Sequence, residues 1–186
     1  SDLVQRKDDS VTKMTGGIQY LFRKNKITLL KGHASFEGKG ADGYQVKIDG
    51  KDKETVTAKN VIIATGSKAR HLPGMAVDNV LICDNEGALK FDSVPKKLGV
   101  IGAGVIGLEL GSVWRRLGAE VTVLEALPSF LAACDVSIAK EAQKLFTKQG
   151  LNINMGVKIG DVKADKKGVV VNYTDSAGKA AKLECD

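Results

Sequence analysis

Residues 97–109 read KLGVIGAGVIGLE, an apolar run that leads directly into three glycines with the spacing G-x-G-x-x-G. The run predicts a strand, and the residues from Val105 to Leu117 predict a helix that ends at Gly118. Glycines between a strand and a helix let the pyrophosphate of a dinucleotide approach the helix N-terminus, where free N–H groups favour anions. The stretch therefore predicts a dinucleotide-binding turn inside a βαβ unit.

The three glycines have different tasks in such a turn. The first permits the tight backbone turn, the second leaves room for the pyrophosphate, and the third lets the helix pack closely on the strand. The predicted NAD-binding residues of this turn are Gly102, Ala103, Gly104, Val105, Ile106 and Gly107.

An acidic residue follows at the distance that such a site requires. Glu125 ends the predicted strand EVTVLE (120–125) and lies 23 residues after Gly102. Its carboxylate can accept hydrogen bonds from the adenosine ribose hydroxyls and would repel a 2′-phosphate. No arginine follows it in the next residues, Ala126, Leu127 and Pro128, so NAD is favoured over NADP. The alternative is a plain strand-turn-helix with a surface glutamate.

The chain after the glycine turn alternates helices and strands and then becomes a β-meander. This order predicts an α/β fold, a Rossmann-like domain with a parallel sheet, and VPKK (94–97) marks its start. The predicted elements are a helix over 137–149, a strand over 151–157, and short strands over 158–185 with turns at 165–168 and 175–178.

The chain before the turn predicts a helix and a small antiparallel meander. VIIATG (61–66) is short, β-branched and apolar, which is typical of a strand buried on both faces. A short helix over 84–91 would have Asp84 as its N-cap. The other predicted elements are a helix over 2–24 and strands over 27–36, with a turn at Gly32, over 44–50 and over 54–58.

Composition excludes several classes of protein. The net charge is +6 and the basic residues are spread out, with few aromatic residues among them, so a basic nucleic-acid binder is a weak alternative. No apolar run reaches the roughly 18 residues of a membrane span, and the polar start SDLVQRKDDS is no signal peptide. Without a starting Met, the chain is expected to be processed, tagged or cut from something longer.

Cysteine and histidine are too sparse for a metal site or a disulfide framework. Cys83, Cys134 and Cys185 lie far apart, and His33 and His71 are isolated. The sequence therefore predicts no metal and a reducing compartment.

Four stretches together resemble the pyridine nucleotide–disulfide oxidoreductase family: TGGIQYLFRKNKI at 15–27, IIATGS at 62–67, LPG at 72–74 and GAGVIGLELGSVWRRLGAEVTVLE at 102–125. The resemblance covers nearly the whole chain. ATG and GxGxxG specify only the family, whereas GxELGSVW and LGAEVTVLE point to its members that oxidise dihydrolipoamide. It implies that electrons pass from dihydrolipoamide through a redox-active disulfide to FAD, and as hydride to NAD⁺.

The resemblance also implies tasks for single residues. Ile159 would lie beside the adenosine of NAD. Glu109 would lie near the junction of nicotinamide and flavin and pair with a lysine of the redox-disulfide helix, although an acid at this helix position is equally compatible with a solvated surface. The implied FAD contacts are Gly32, His33, Ala34, Thr65, Gly66 and Ser67.

Several motifs of the family are absent from these 186 residues. They are the first GxGxxG and the later G-D of the FAD site, the C-x-x-x-x-C disulfide with its lysine, and the C-terminal His-Glu pair. We therefore expect an internal fragment that does not itself oxidise dihydrolipoamide. Residues 1–92 would be part of an FAD-binding domain, and residues 93–186 an NAD-binding domain that lacks its C-terminal strand.

The parent flavoenzyme would be a cytoplasmic homodimer, or in a eukaryote an enzyme of the mitochondrial matrix, with a part in cell redox homeostasis. Its partners would be dihydrolipoyl groups on acyltransferase or glycine-cleavage proteins of 2-oxo acid dehydrogenase-type complexes. Neither nucleic acid nor membrane is expected among them. The alternatives are a related flavoenzyme, such as an NADH oxidase, a mercuric reductase or a soluble transhydrogenase, and a non-catalytic NAD(H)-binding module.

Overall fold

The computed structural model describes residues 2–186. The chain divides into two compact units, whose main parts are Gln5–Lys68 and Ala69–Asp186. Residues 69–92 thus belong to the same unit as the glycine turn, and the assignment of residues 1–92 to an FAD-binding domain stays a prediction. None of the described helices is long and apolar enough to cross a bilayer.

The first part of the chain forms one long helix and a three-stranded antiparallel meander in the order β1-β2-β3. The predicted helix and the strands over 44–50 and 54–58 are confirmed. The strand predicted over 27–36 is wrong in its first half, because β2 ends opposite Gly32 and leaves residues 27–31 without a partner strand. The elements are α1 Asp2–Lys24, β1 Gly32–Gly40, β2 Gly43–Gly50 and β3 Glu54–Ala58.

The apolar run VIIATG (61–66) is not a strand in the structure. These residues have no regular secondary structure, and the side chains of Ile62 and Ile63 are 91% and 72% exposed. The prediction of a buried strand is therefore wrong for the described residues, because no described strand pairs with this run. A β-branched run satisfies its backbone polar groups as a strand only beside another strand.

The second unit contains a parallel sheet and an antiparallel meander, as predicted. The parallel sheet has the order β4-β5-β6 and the meander the order β7-β8-β9, so the predicted α/β fold is confirmed. The elements are α2 Asn85–Ala88, β4 Lys97–Ile101, α3 Val105–Arg116, β5 Glu120–Leu124, α4 Val136–Lys148, β6 Asn152–Asn154, β7 Lys158–Asp165, β8 Gly168–Thr174 and β9 Ala180–Cys185.

The central strand β5 supplies both hydrophobic cores of this unit. Val121 and Val123 pack with the helices in one core, while Leu124 packs with Val169 and Val171 of the meander in the other. Successive side chains of a strand point to opposite faces, so one short strand holds both layers together. β5 is therefore a rigid base for the residue that follows it, Glu125.

The segment before β4 is attached to α3 through Trp114. The indole Nε1 donates to the Ala88 carbonyl at 3.1 Å, and the ring lies 5.1 Å from that of Phe91. The predicted N-cap of α2 is confirmed, since the Asp84 carboxylate accepts hydrogen bonds from the backbone N–H groups of Glu86 and Gly87. The segment thus packs against the helix that begins at the glycine turn.

Candidate functional site

The glycine turn lies between the end of β4 and the start of α3. Gly102 has φ +104°, a conformation that favours glycine, and its N–H donates to the Leu124 carbonyl at 2.8 Å. Gly104 is the N-cap of α3 and carries no capping side chain. A Cβ added at either glycine would meet no atom within 4 Å, so the space beside this helix end is open to a ligand.

Gly107 packs α3 onto β4. An added Cβ would clash with the Gly102 carbonyl oxygen and would lie 3.1 Å from a methyl group of Val100. Only glycine allows the helix to approach the turn this closely. The three glycines thus provide a tight turn at Gly102, open space at Gly104 and close helix packing at Gly107.

The side chain of Glu125 lies against the same turn. One carboxylate oxygen accepts from the Ala103 N–H at 2.7 Å, and the other accepts from the Leu127 N–H at 2.8 Å. Glu125 is half-buried, whereas Ala103 is 2% exposed. The structure thus brings together the two parts of the predicted NAD site, the glycine turn and the acid at the end of β5.

Ile159 and Glu109 lie in different surroundings. Ile159 is half-buried on β7 opposite Tyr173 and packs against the core that contains Leu124. Glu109 is exposed on α3, and its carboxylate forms no hydrogen bond or ion pair with the described residues. Their roles beside a nucleotide stay predictions.

An open groove of about 870 Å³ runs along β4 and the start of α3. Gly102, Gly104 and Ile106 line part of it, and the remaining lining combines apolar side chains such as Leu72 with charged ones such as Arg70. Glu125 does not line the groove, whereas Gly102 and Gly104 of the turn do.

The residues proposed to contact FAD fall into two groups. Gly32, His33 and Ala34 lie in β1 and pair with residues 48–50 of β2. Thr65, Gly66 and Ser67 lie in the segment without regular structure, where Gly66 has φ +72°. No hydrogen bond joins the two groups among the described residues, and their contacts with FAD stay a prediction.

The described residues contain no group of histidine, cysteine and acidic side chains that could hold a metal ion. Cys83, Cys134 and Cys185 are free thiols. Burial raises the pKa of the Cys83 and Cys185 thiols, which keeps both neutral at ordinary pH. Neither Cys83 nor Cys185 therefore has the environment of a reactive thiolate.

Sequence reasoning missed the hydrogen bond between Glu125 and Ala103. A signal for it was available, because β4 and β5 are parallel with Ile101 opposite Leu124. The residues that follow the two strands must then lie at the same edge of the sheet. Sequence reasoning also missed the groove, because much of its lining comes from residues 69–95, which contain little regular structure.

The sequence profile of the family described as pyridine nucleotide-disulphide oxidoreductase matches residues 2–186. The chain belongs to this family. The family resemblance inferred from the motifs is therefore confirmed over almost the entire chain.

Relatives in the pyridine nucleotide-disulphide oxidoreductase family share much of the sequence. Over 99% of its length the chain is 67% identical to dihydrolipoyl dehydrogenase from Cupriavidus necator, of which it covers 38%. It is 45% identical to dihydrolipoyl dehydrogenase 3 from Pseudomonas putida over 100% of its length, and covers 40% of that protein. The chain thus spans about 40% of the length of the curated relatives it matches.

Solved structures show the same fold at low sequence identity. LpdA from Mycobacterium tuberculosis superposes with a TM-score of 0.82 at 23% identity, over 96% of this chain and 39% of that protein. The flavoprotein disulfide reductase RclA from Escherichia coli superposes with a TM-score of 0.76 at 22% identity, over 98% of this chain and 40% of that protein. At these identities the likeness establishes the fold of the oxidoreductase family.

Proposed function

We propose that residues 93–186 bind NAD at the glycine turn, with the pyrophosphate at the N-terminus of α3 and the adenosine ribose at Glu125. The observation that carries this proposal is the position of the Glu125 carboxylate beside the open turn at Gly102 and Gly104. The free N–H groups and the dipole at the start of α3 favour the two phosphate charges. The carboxylate favours ribose hydroxyls, which can donate to it.

The same arrangement disfavours NADP. A 2′-phosphate would lie beside the Glu125 carboxylate, and the two like charges repel each other. The residues after Glu125 are Ala126, Leu127 and Pro128, none of which can pair with a phosphate. The proposed cofactor is therefore NAD.

Other residues of the chain would contact the remaining parts of NAD and FAD. Ile159 would pack beside the adenosine, and Glu109, exposed on α3, would lie near the nicotinamide. Residues 1–92 would contribute Gly32–Ala34 and Thr65–Ser67 to an FAD site. The family consists of FAD- and NAD-binding oxidoreductases, and FAD would supply the hydride chemistry when bound.

The whole protein to which this chain belongs would be a dihydrolipoyl dehydrogenase. It would oxidise dihydrolipoyl groups of acyltransferase or glycine-cleavage proteins and pass hydride through FAD to NAD⁺. The identity of 67% to an enzyme of that name supports this activity over other flavoenzymes. We propose further that it acts as a homodimer in the cytoplasm, or in the mitochondrial matrix of a eukaryote.

Isothermal titration of the 186-residue chain with NAD⁺ and NADP⁺ tests the nucleotide site. We expect NAD⁺ to bind at least about tenfold more tightly, because the phosphate repulsion applies only to NADP⁺. We expect Glu125→Gln to reduce this preference, while the matched control Glu120→Gln should keep it, since Glu120 is exposed at the opposite end of β5. Absence of NAD⁺ binding, or equal binding of both nucleotides, would contradict the proposal.

Activity measurements separate the chain from the whole enzyme. We expect the 186-residue chain to produce no NADH from dihydrolipoamide, because its sequence contains neither the redox disulfide nor the His-Glu pair. Dihydrolipoamide-dependent NADH formation by this chain would overturn that assignment. The binding experiment and the activity experiment can fail independently of each other.

A further inference from the structure

Glu125 is held in place before any ligand is considered. Its backbone N–H donates to the Asn154 carbonyl at 2.8 Å, and its own carbonyl accepts from the Val157 N–H at 3.0 Å. The strand before it is buried, with Leu124 1% exposed. The carboxylate therefore extends from a fixed point of the backbone and does not need to be ordered by a nucleotide.

The group that meets this carboxylate is a buried N–H. Ala103 is 2% exposed, and its N–H donates to Glu125 at 2.7 Å. A buried backbone N–H without a partner is costly, and a hydrogen bond to a charged acceptor is stronger than one to a neutral acceptor. Gly102, the neighbouring residue, is fixed differently, through its own N–H to the Leu124 carbonyl.

We infer that Glu125 is a positioning residue, which holds the glycine turn in its nucleotide-binding shape in the absence of nucleotide. It does so by joining Ala103, in the turn after β4, to Leu127, in the turn after β5. This inference rests on the proposed function only in treating the turn as the nucleotide site. Glu125 then has two tasks, because a carboxylate has about four acceptor positions and the two N–H groups occupy only two.

Glutamine at this position separates these tasks. Its amide has one acceptor oxygen, and its NH₂ group cannot accept a hydrogen bond. Because the N–H groups of Ala103 and Leu127 meet different oxygens of the carboxylate, the amide oxygen in Glu125→Gln can replace one of these two acceptors but not both. The variant therefore loses a hydrogen bond of the turn, whereas the hydrogen bond from the Gly102 N–H to the Leu124 carbonyl is kept.

Amide hydrogen exchange of the nucleotide-free 186-residue chain, followed by NMR, tests the inference. In Glu125→Gln we expect the Ala103 or the Leu127 amide to exchange at least about tenfold faster, while the Gly102 amide keeps its rate. Glu120→Gln should change none of these rates. If Ala103 and Leu127 keep their wild-type rates in Glu125→Gln, or if Gly102 accelerates equally, the positioning role is wrong.

A ligand without ribose hydroxyls provides the second measurement. We expect 2′,3′-dideoxy-ADP to bind Glu125→Gln several-fold more weakly than wild type, because the turn is less well preorganised. Loss of a negative charge alone would have the opposite effect on an anionic ligand. Equal or tighter binding by the variant would overturn the inference.

The exchange experiment uses no nucleotide, so it is independent of the proposed NAD site. If wild type fails to bind NAD⁺, the exchange result still decides whether Glu125 positions the turn. If Glu125→Gln does not fold, Glu125→Asp replaces it. Its carboxylate is one methylene shorter and should lose at least one of the two contacts, so the Ala103 or the Leu127 amide should again exchange faster while the Gly102 amide keeps its rate, and unchanged rates at both would contradict the positioning role.

Discussion

Two apolar runs in this chain look alike and have opposite outcomes. VIIATG (61–66) and KLGVIG (97–102) are both short, both contain several branched aliphatic residues, and both end in glycine. The second forms β4 beside β5, whereas the first has no regular structure and leaves Ile62 91% exposed. The difference lies in the neighbour, because a strand needs a second strand to satisfy its N–H and C=O groups.

The same contrast holds for the helices of the two parts of the chain. α1 has no buried residue, although Met14, Ile18 and Leu21 give it an apolar side. α3, which is half as long, buries four residues, among them Leu108 and Trp114. Helical spacing of apolar residues therefore predicted both helices, but only α3 meets a core within the described residues.

The largest expected effect compares a buried branched side chain with an exposed one. Leu124→Ala should lower the free energy of unfolding of the second unit by about 2–5 kcal/mol, because it leaves a cavity beside the meander. Ile62→Ala should change stability by less than about 0.5 kcal/mol, because that side chain is in solvent. Denaturant unfolding measures both free energies of unfolding. Circular dichroism follows both variants, and Trp114 fluorescence also follows Leu124→Ala.

An equal loss of unfolding free energy in Leu124→Ala and Ile62→Ala would contradict the contrast between the buried and the exposed run. It would mean that VIIATG is buried in solution against some other part of the chain. The fluorescence of Trp114 reports on the second unit alone, since it is the one tryptophan of the sequence.

The next effect compares two glycines inside helices. Gly107→Ala places a methyl group against the Gly102 carbonyl, and we expect a net loss of about 1–3 kcal/mol in the free energy of unfolding. Gly16→Ala has free space around it and should stabilise α1 by about 0.5–1 kcal/mol. Thermal unfolding by circular dichroism checks the opposite signs, and the same sign for both would contradict the packing role of Gly107.

A smaller effect separates binding from folding within the glycine turn. Gly104→Ala and Gly40→Ala both have room for the new Cβ, so each should change stability by less than about 0.5 kcal/mol. Only Gly104→Ala should weaken NAD⁺ binding, by about tenfold, because the methyl group occupies the space of the pyrophosphate. Titration calorimetry of the two variants provides the measurement, and unchanged affinity in Gly104→Ala would place the pyrophosphate elsewhere.

The smallest effect concerns acid stability. Hydrogen bonds from the Ser137 hydroxyl and from the backbone N–H groups of Ser137 and Ile138 lower the pKa of Asp135, the N-cap of α4. A lowered folded pKa stabilises the protein above the unfolded pKa, and this contribution is lost as the pH falls below about 4. Asp135→Asn keeps a capping oxygen but cannot titrate in this range, so it should lose less stability between pH 6 and about pH 3.

Denaturation of both proteins across this pH range, with Trp114 fluorescence as the signal, checks the difference in slope. At neutral pH the two should differ little, because asparagine also caps helices well. A steeper loss of stability in the asparagine variant would contradict the sign of the Asp135 pKa shift.

Local patterns predicted most of the second unit correctly. The run into Gly102, the helix after Gly104 and the strand before Glu125 all follow from spacing and turn chemistry, which depend on neighbours along the chain. The helix caps were also predictable from the sequence, since Asp84 is the N-cap of α2 and Gly118, with φ +112°, follows α3. The position of Glu125 at the same sheet edge as the turn also follows once both strands are recognised as parallel.

The first part of the chain was harder to predict from local pattern. VIIATG has every local property of a buried strand, yet burial depends on a partner that no spacing rule supplies. The strand prediction for residues 27–31 was wrong for the same reason, because β2 is too short to pair with them. In the second unit, the packing of Ala88 and Phe91 on Trp114 likewise joins residues far apart in sequence.

The sequence by itself determined the order of elements from β4 onward, the glycine turn and the identity of the acid that follows β5, because each is encoded in neighbouring residues and backbone preferences. Tertiary structure decided which apolar runs are buried, where the groove along β4 opens, and what Glu125 contacts in the absence of ligand. These features depend on contacts between distant segments. The Ala103 N–H finds its acceptor 22 residues along the chain, and only folding brings the two together.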